Sequence, residues 1–145
     1  MATAPQRTQD GITFRNLNKN GRLNPYEDPR RPITERVEDL LGQMTLEEKA
    51  GLMFHMITMV SPDGRLTPSG GGHGGSLTEL MTTRLMSHFN VHALPEPRLA
   101  ASWYNRVQEL AESTRLGIPV TIWSDPRHAF SNNPATNFQA TEFSQ

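Results

Sequence analysis

The hydrophobic positions change period along the chain, and each change predicts an element. Val37, Leu40, Leu41 and Met44 recur at three- and four-residue steps, which places them on one face of a helix entered near Pro32 and Thr34. Thr45-Leu46-Glu47-Glu48 has the spacing of a capping box, with Thr45 as cap and Glu48 reaching back, so a second, short helix is expected from there. That makes Glu47 and Glu48 structural acids. The run Leu52 to Val60 is apolar almost throughout and predicts a first buried strand, with His55 as a core histidine inside it. Ser76 to Glu79 repeats the capping pattern and starts another short helix through Thr82 or Thr83. A second short strand is expected within Arg84 to Leu94. Leu99, Trp103, Val107, Leu110, Ala111 and Thr114 form the clearest helical stripe, opened by Pro97 and stopped by Gly117.

After that helix comes Leu116-Gly117-Ile118-Pro119-Val120-Thr121-Ile122-Trp123, rich in strand formers and with little alternation. Such a run predicts a strand covered on both faces, as in parallel sheets. Polarity switches abruptly at Ser124, and Asp125, Arg127 and His128 crowd the carboxyl end of the strand, where α/β folds gather ligands and chemistry. Taken alone, these residues are equally good turn formers. Strands alternating with helices in this order give an α/β fold with a parallel sheet.

Two loops carry motifs of their own. Asn16 to Glu27 fits the calcium-loop template at every position but the first. Asn16, Asn18, Asn20 and Glu27 are the candidate side-chain ligands, Arg22 stands where the template uses a backbone carbonyl, and Gly21 makes the sharp turn. Three neutral amides replace the usual carboxylates, so only weak calcium binding is expected, and an Asn/Gly turn without the ion fits the residues as well. Residues 61–76 read as a loop. Its Gly70, Gly72 and Gly75 match G-x-G-x-x-G, but Pro68 and Ser69 interrupt the strand-to-turn context and no lysine follows, which argues against nucleotide. His88 and His92 lie four apart, yet Phe89 occupies the glutamate place of a zinc-binding helix.

Composition narrows the function. The 145 residues carry 14 basic and 15 acidic side chains, a net charge of −1, which provides no field for nucleic acid or an anionic membrane. There are no cysteines, hence no disulfide and no thiolate metal site. Met1 to Asp10 is polar, without the apolar core of a signal peptide, and no run approaches the roughly 18 apolar residues of a membrane helix.

The run R-L-G-I-P-V-T-I-W-S-D-P-R-H resembles the G-I-P…D-x-x-H segment of glycoside hydrolase family 3, the β-glucosidase family. Arg36 to Leu52 is similar to the signature that opens that family's catalytic domain. The resemblance covers about Pro25 to Gln145 and implies a (β/α)₈ barrel. A barrel takes about 250 residues, so the chain is expected to hold only its first strands and helices. Residues 1–31 then form an irregular N-terminal extension containing the calcium-like loop 16–27, and residues 32–145 the truncated barrel domain.

The resemblance further implies exo-acting, retaining hydrolysis of β-linked glucosides or oligosaccharides by the parent enzyme. Retaining chemistry needs one carboxylate as nucleophile and a second as acid/base. In the family both lie in later segments, so no catalytic residue is assigned here, and the chain alone is expected to be inactive. Asp125 matches the sugar-binding aspartate, whose implied role is to accept hydrogen bonds from hydroxyls of the terminal sugar. Arg127 and His128 belong to the same substrate-binding motif, with His128 as a supporting partner. Ala129 stands where the family often has glycine. No cofactor is required. Relatives are often periplasmic or secreted, so the compartment stays open, and unpaired strand edges are expected to favour self-association. Two other readings remain from the residues: a non-catalytic calcium- or protein-binding module around Asn16 to Glu27, and a different barrel enzyme acting on phosphorylated substrates.

Overall fold

The computed structural model describes residues 3–66, 75–91 and 96–123. Two short strands come first: β1 (Gln6–Gln9) and β2 (Ile12–Arg15) form an antiparallel hairpin in which Gln9 pairs with Ile12. Its two-residue turn is Asp10-Gly11, both at positive φ (50° and 75°), the backbone that a tight hairpin turn demands. The N-terminal segment expected to be irregular thus contains a hairpin, Gln6 to Arg15, followed by turns over residues 16–31. Its strands are mostly polar, so no hydrophobic period announced them, but the Asp-Gly pair was the available signal.

A 3₁₀ turn (Pro25–Glu27) leads to α1 (Ile33–Gln43), entered from Pro32 as the sequence predicts, and then α2 (Leu46–Leu52). The capping box forms as expected: Glu48 N–H donates to Thr45 Oγ1 at 3.2 Å and Thr45 N–H to a Glu48 carboxylate oxygen at 2.9 Å. Glu48 also pairs with the Arg115 guanidinium, which in turn donates to the Gln43 carbonyl at 2.8 Å. One carboxylate therefore caps α2 and ties it to Arg115, far along the chain.

Three parallel strands make the sheet: β3 (His55–Thr58), β4 (His88–Val91) and β5 (Thr121–Trp123), side by side in chain order. In register, His55 pairs with His88 and His88 with Thr121; Ile57 pairs with Asn90 and Asn90 with Trp123. Helices α3 (Leu77–Thr82) and α4 (Pro97–Ser113) lie between successive strands in sequence. Ser76 caps α3, its hydroxyl accepting from Glu79 N–H at 3.1 Å.

The core forms between these helices and one sheet face. Leu77, Leu80 and Met81 from α3, Trp103, Val107, Leu110 and Ala111 from α4, and Phe89, Val91 and Val120 from the sheet make one buried cluster, with Met56 and Ile122 packed on it. Of the α4 stripe read from the sequence, Trp103, Val107, Leu110 and Ala111 are buried, while Leu99 is half-buried and Thr114 is half-buried and lies past the helix as its cap. At about 25 cal/mol per Å² of apolar area, fully burying each such large side chain contributes on the order of 1.5–3 kcal/mol. α4 ends at Ser113, with Thr114 as its cap. Gly117, expected to stop the helix, instead takes its left-handed conformation (φ 60°) three residues further on, where a Cβ would press on Leu17 at 3.0 Å.

Two predicted burials are corrected. The run Leu52 to Val60 does contain a strand, but β3 covers only four residues and Met53, Phe54, Ile57 and Met59 are exposed. His55 is exposed as well, not a core histidine. Likewise β5 is covered on its helix side, by way of Val120 and Ile122, while Thr121 is exposed and Trp123 keeps 39% of its surface. The cause is the same in both cases. Alternation along parallel strands sends His55, Ile57, His88, Asn90, Thr121 and Trp123 to the face opposite α3 and α4, which carries no helix among the described residues. α1 is similar: none of its residues is buried, and Val37 and Leu41 are 49% and 43% exposed.

Candidate functional site

Val120 ends the approach to β5 as part of the core, and its backbone is held by Gln108 of α4: Gln108 Nε2 donates to the Val120 carbonyl at 2.8 Å and Val120 N–H donates to Gln108 Oε1 at 3.1 Å. Thr121 N–H donates to the Ser87 carbonyl at 2.8 Å, starting the β4–β5 ladder. The helix and ladder thus fix where β5 delivers the chain after Trp123. Asp125, Arg127 and His128, the predicted sugar-binding residues, lie outside the described residues, as do His92 and most of the Gly-rich loop.

The helix-free face next to this point carries an aromatic cluster that sequence reasoning missed. The His55 and His88 rings stack with centroids 5.0 Å apart and planes 7° apart, and the Trp123 indole tilts onto His55 at 6.3 Å and 57°. His88 Nδ1 also meets Ser87 Oγ at 3.2 Å. One strand contributes each ring. Alternation places positions 55, 88 and 123 on one face once the register is known, but only pairing of the three strands brings them together. Burial, and then the neighbouring His55, push the His88 imidazole below its ordinary value. The sign follows directly. A histidine that resists protonation when folded adds stability above the unfolded value, about 6.5, and that stability is lost as pH falls towards and through the lower folded value. Urea titrations at pH 7.5 and pH 5.5 are expected to show a smaller difference for His88→Gln than for the unaltered chain; an identical difference would refute the assignment.

The calcium-like loop is brought together, but by its own bonds. Glu27 is buried, and its carboxylate accepts from the backbone N–H groups of Leu17 (2.6 Å), Asn18 (3.4 Å) and Asn24 (3.1 Å). Asn18 Nδ2 donates to Asn24 and Gln43, Asn18 Oδ1 accepts from Asn20 N–H, and Asn20 Oδ1 accepts from Arg22 N–H at 2.8 Å. Arg22 itself is exposed. Asn16 is almost wholly buried, and its Oδ1 is the buried side-chain atom without a hydrogen-bond partner among the described residues. As arranged, the Glu27 carboxylate and the Asn18 and Asn20 amide oxygens accept from backbone N–H groups of the loop itself. Among the described residues there is also no group of three or more His, Asp or Glu placed to hold a metal.

What the loop does reach is the end of α4. Lys19 Nζ donates to the carbonyls of Glu112 and Thr114, a cation on the negative end of the helix. Arg15 pairs with Glu112, and the Tyr26 hydroxyl donates to the Leu116 carbonyl at 3.2 Å. Burial pushes the Tyr26 phenol up, so it remains a donor. The N-terminal segment therefore clamps the link between α4 and β5. A cavity of about 300 Å³ lies beneath that link, lined by Met44, Met81, Met86, Leu116 and Ile118 among others.

No helix among the described residues is long and apolar enough to cross a membrane. No family model matches the chain. Over 123 residues, 83% of its length, the chain is 46% identical to a probable β-glucosidase C of Aspergillus oryzae, of which it spans 19%. It is 40% identical over 144 residues, 98% of its length, to a periplasmic β-glucosidase/β-xylosidase of Dickeya chrysanthemi, spanning 22% of that protein. A β-glucosidase C of Emericella nidulans is 40% identical over 121 residues, with 19% of it covered. The chain thus spans about a fifth of the length of the curated relatives it matches.

Proposed function

We infer that the chain is the opening part of the catalytic domain of a family 3 glycoside hydrolase, and that its parent enzyme is an exo-acting, retaining β-glucosidase. The 40–46% identity to β-glucosidases over most of the chain carries this reading. The sheet supports it. Parallel strands β3, β4 and β5, adjacent in chain order with a helix between each pair, are how a (β/α)₈ barrel begins. The helix-free face, with Ile57, Asn90 and Trp123, is then the barrel interior, and the exposed Val37 and Leu41 of α1 await covering by the rest of the protein.

In this reading the chain binds sugar and does not cleave it. Asp125, two residues beyond β5, accepts hydrogen bonds from hydroxyls of the terminal sugar; Arg127 and His128 support it. A charged acceptor strengthens such bonds to about 1.5–3 kcal/mol each, and a substrate lacking the hydroxyl leaves the carboxylate unpaired. Attack on the sugar carbon and protonation of the leaving oxygen fall to carboxylates elsewhere in the parent. The pure 145-residue chain is accordingly expected to release no aryl alcohol from an aryl β-glucoside, whereas the parent does. Turnover by the chain itself would overturn the division of roles.

Among the described residues the outer edges of β3 and β5 carry no partner strand, which would let the isolated chain self-associate. Calcium enters only as a weak ligand of residues 16–27, since it would have to displace three backbone donors from Glu27. Calorimetric titration with millimolar calcium is expected to give little heat, and a tight, stoichiometric isotherm would favour a calcium-binding module instead. The periplasm, where the Dickeya relative works by its name, is a compartment in which this cysteine-free chain would lose nothing.

A further inference from the structure

We propose that Asn20-Gly21 is a self-modification site: the Gly21 backbone nitrogen attacks the Asn20 side-chain amide, and the aspartate and isoaspartate that result loosen the N-terminal segment's clamp on the end of α4. The inference stands apart from the carbohydrate reading. Asn20-Gly21 is the one Asn-Gly step in the 145-residue sequence. Asn20, Gly21 and Arg22 are all exposed, and a Cβ built on Gly21 would meet no described atom within 4 Å, so water and hydroxide reach the step. The loop also holds the amide for attack. Arg22 N–H donates to Asn20 Oδ1 at 2.8 Å, closing a ring through the Asn20 and Gly21 backbone that folds Cγ back towards the Gly21 nitrogen. The same N–H polarises the amide carbonyl and is placed to hold the oxyanion that forms when the nitrogen adds to it. Asn20 Nδ2 donates to Asn24 Oδ1 at 2.7 Å, which fixes the plane of the amide.

The chemistry needs only base and water. Hydroxide removes the Gly21 amide proton, the nitrogen bonds to Asn20 Cγ, and the Cγ–Nδ2 bond breaks with loss of ammonia, whose third proton comes from water. The resulting succinimide takes up one water: opening at Cγ gives aspartate, and opening at the Asn20 main-chain carbonyl gives isoaspartate. An amide has become a carboxylate. Its neighbour Lys19 donates to the carbonyls of Glu112 and Thr114 at the end of α4. The product lacks the Nδ2 donor to Asn24 and sets a negative charge beside Lys19, drawing the ammonium off those carbonyls. Isoaspartate also adds a methylene to the main chain between Lys19 and Gly21, which are held at φ 60° and 80°. Both changes act on the contact that helps to secure the link from α4 to β5.

Peptide mapping of the 145-residue chain, incubated at pH 8.5 and at pH 6.5, tests the proposal. Residue 20 should gain about 1 Da at least about tenfold faster than any other asparagine, and faster at the higher pH. The same peptide should become a substrate for methyl transfer by an isoaspartate methyltransferase with labelled S-adenosylmethionine. Because the loop holds the amide for attack, conversion should be no slower in the folded chain than in urea. The converted chain should unfold about 4 °C below the fresh one, in line with the loss of about 1 kcal/mol of hydrogen bonding. Asn20→Gln, which would have to close a larger ring, should keep both mass and midpoint through the same incubation. Lys19→Met separates modification from its consequence: it should convert as fast as the unaltered chain but lose less of its midpoint on conversion. Conversion about tenfold slower in the folded chain than in urea, or a converted chain with an unaltered midpoint, overturns the proposal.

Discussion

Asp125→Ala in the parent enzyme is expected to lower kcat/KM for aryl β-glucosides by about 10²–10⁴-fold, two charge-assisted hydrogen bonds at about 1.5–3 kcal/mol each being lost. The loss should appear with little change in the unfolding midpoint. Asp125 comes two residues after β5, where the contribution to the core is made by Val120, just before the strand, and Ile122 within it. Near-normal kinetics would remove Asp125 from substrate binding. A collapse of stability in step with activity would recast it as a turn residue that hydrogen-bonds its own backbone. The two readings of the same residues, open from the sequence, are separated by that comparison.

Gly51→Ala should be the most damaging small substitution for folding among the described residues. A Cβ on Gly51 would lie 2.3 Å from the Leu85 carbonyl oxygen, 2.7 Å from its carbon and 2.9 Å from the Arg84 oxygen. All three are backbone atoms, so no side chain can swing away. α2 must instead lift from the loop that joins α3 to β4, a loop already turned at Leu85 with φ 58°. Overpacking of this kind costs about 1–3 kcal/mol, and each kcal/mol lowers the midpoint by about 4 °C in a domain of this size. Calorimetry on the variant checks it. An unchanged midpoint would mean that α2 does not sit against that loop.

Where the sequence could be read, it was because the covering residues lay within the chain. The α4 stripe is buried against Phe89 and Val91, and the caps at Thr45 and Ser76 close through neighbours three residues away. Where reading failed, coverage came from elsewhere or nowhere. The run Leu52 to Val60 looks like a core strand because Met53, Phe54, Ile57 and Met59 are apolar, yet all four are exposed in this chain. Apolar character reports that a surface wants burial and says nothing of which residues bury it. In the proposed barrel, the exposed faces of β3 and β5 are the ones that meet later strands.

The candidate site divides in the same way. The Asn16 to Glu27 spacing was visible, but not that Glu27 would turn to three backbone amides and Lys19 to the end of α4. A template fixes spacing; competition among nearby donors fixes where an oxygen points. The His55–His88–Trp123 cluster had no local signal at all, since 33 and 35 residues separate its members and only the sheet register assembles them. The residues proposed to bind sugar, conversely, come from a resemblance to a family, and they lie outside the described residues.

The central claim is that the Asp125 carboxylate holds hydroxyls of the terminal sugar, and deoxy-substrate kinetics test it most directly. The unaltered parent should prefer an aryl β-glucoside over its deoxy analogue, at the hydroxyl Asp125 holds, by about 100-fold or more in kcat/KM, and Asp125→Ala should reduce that preference to within several-fold. A preference as large in the variant as in the parent enzyme, at every hydroxyl tried, would contradict the assignment.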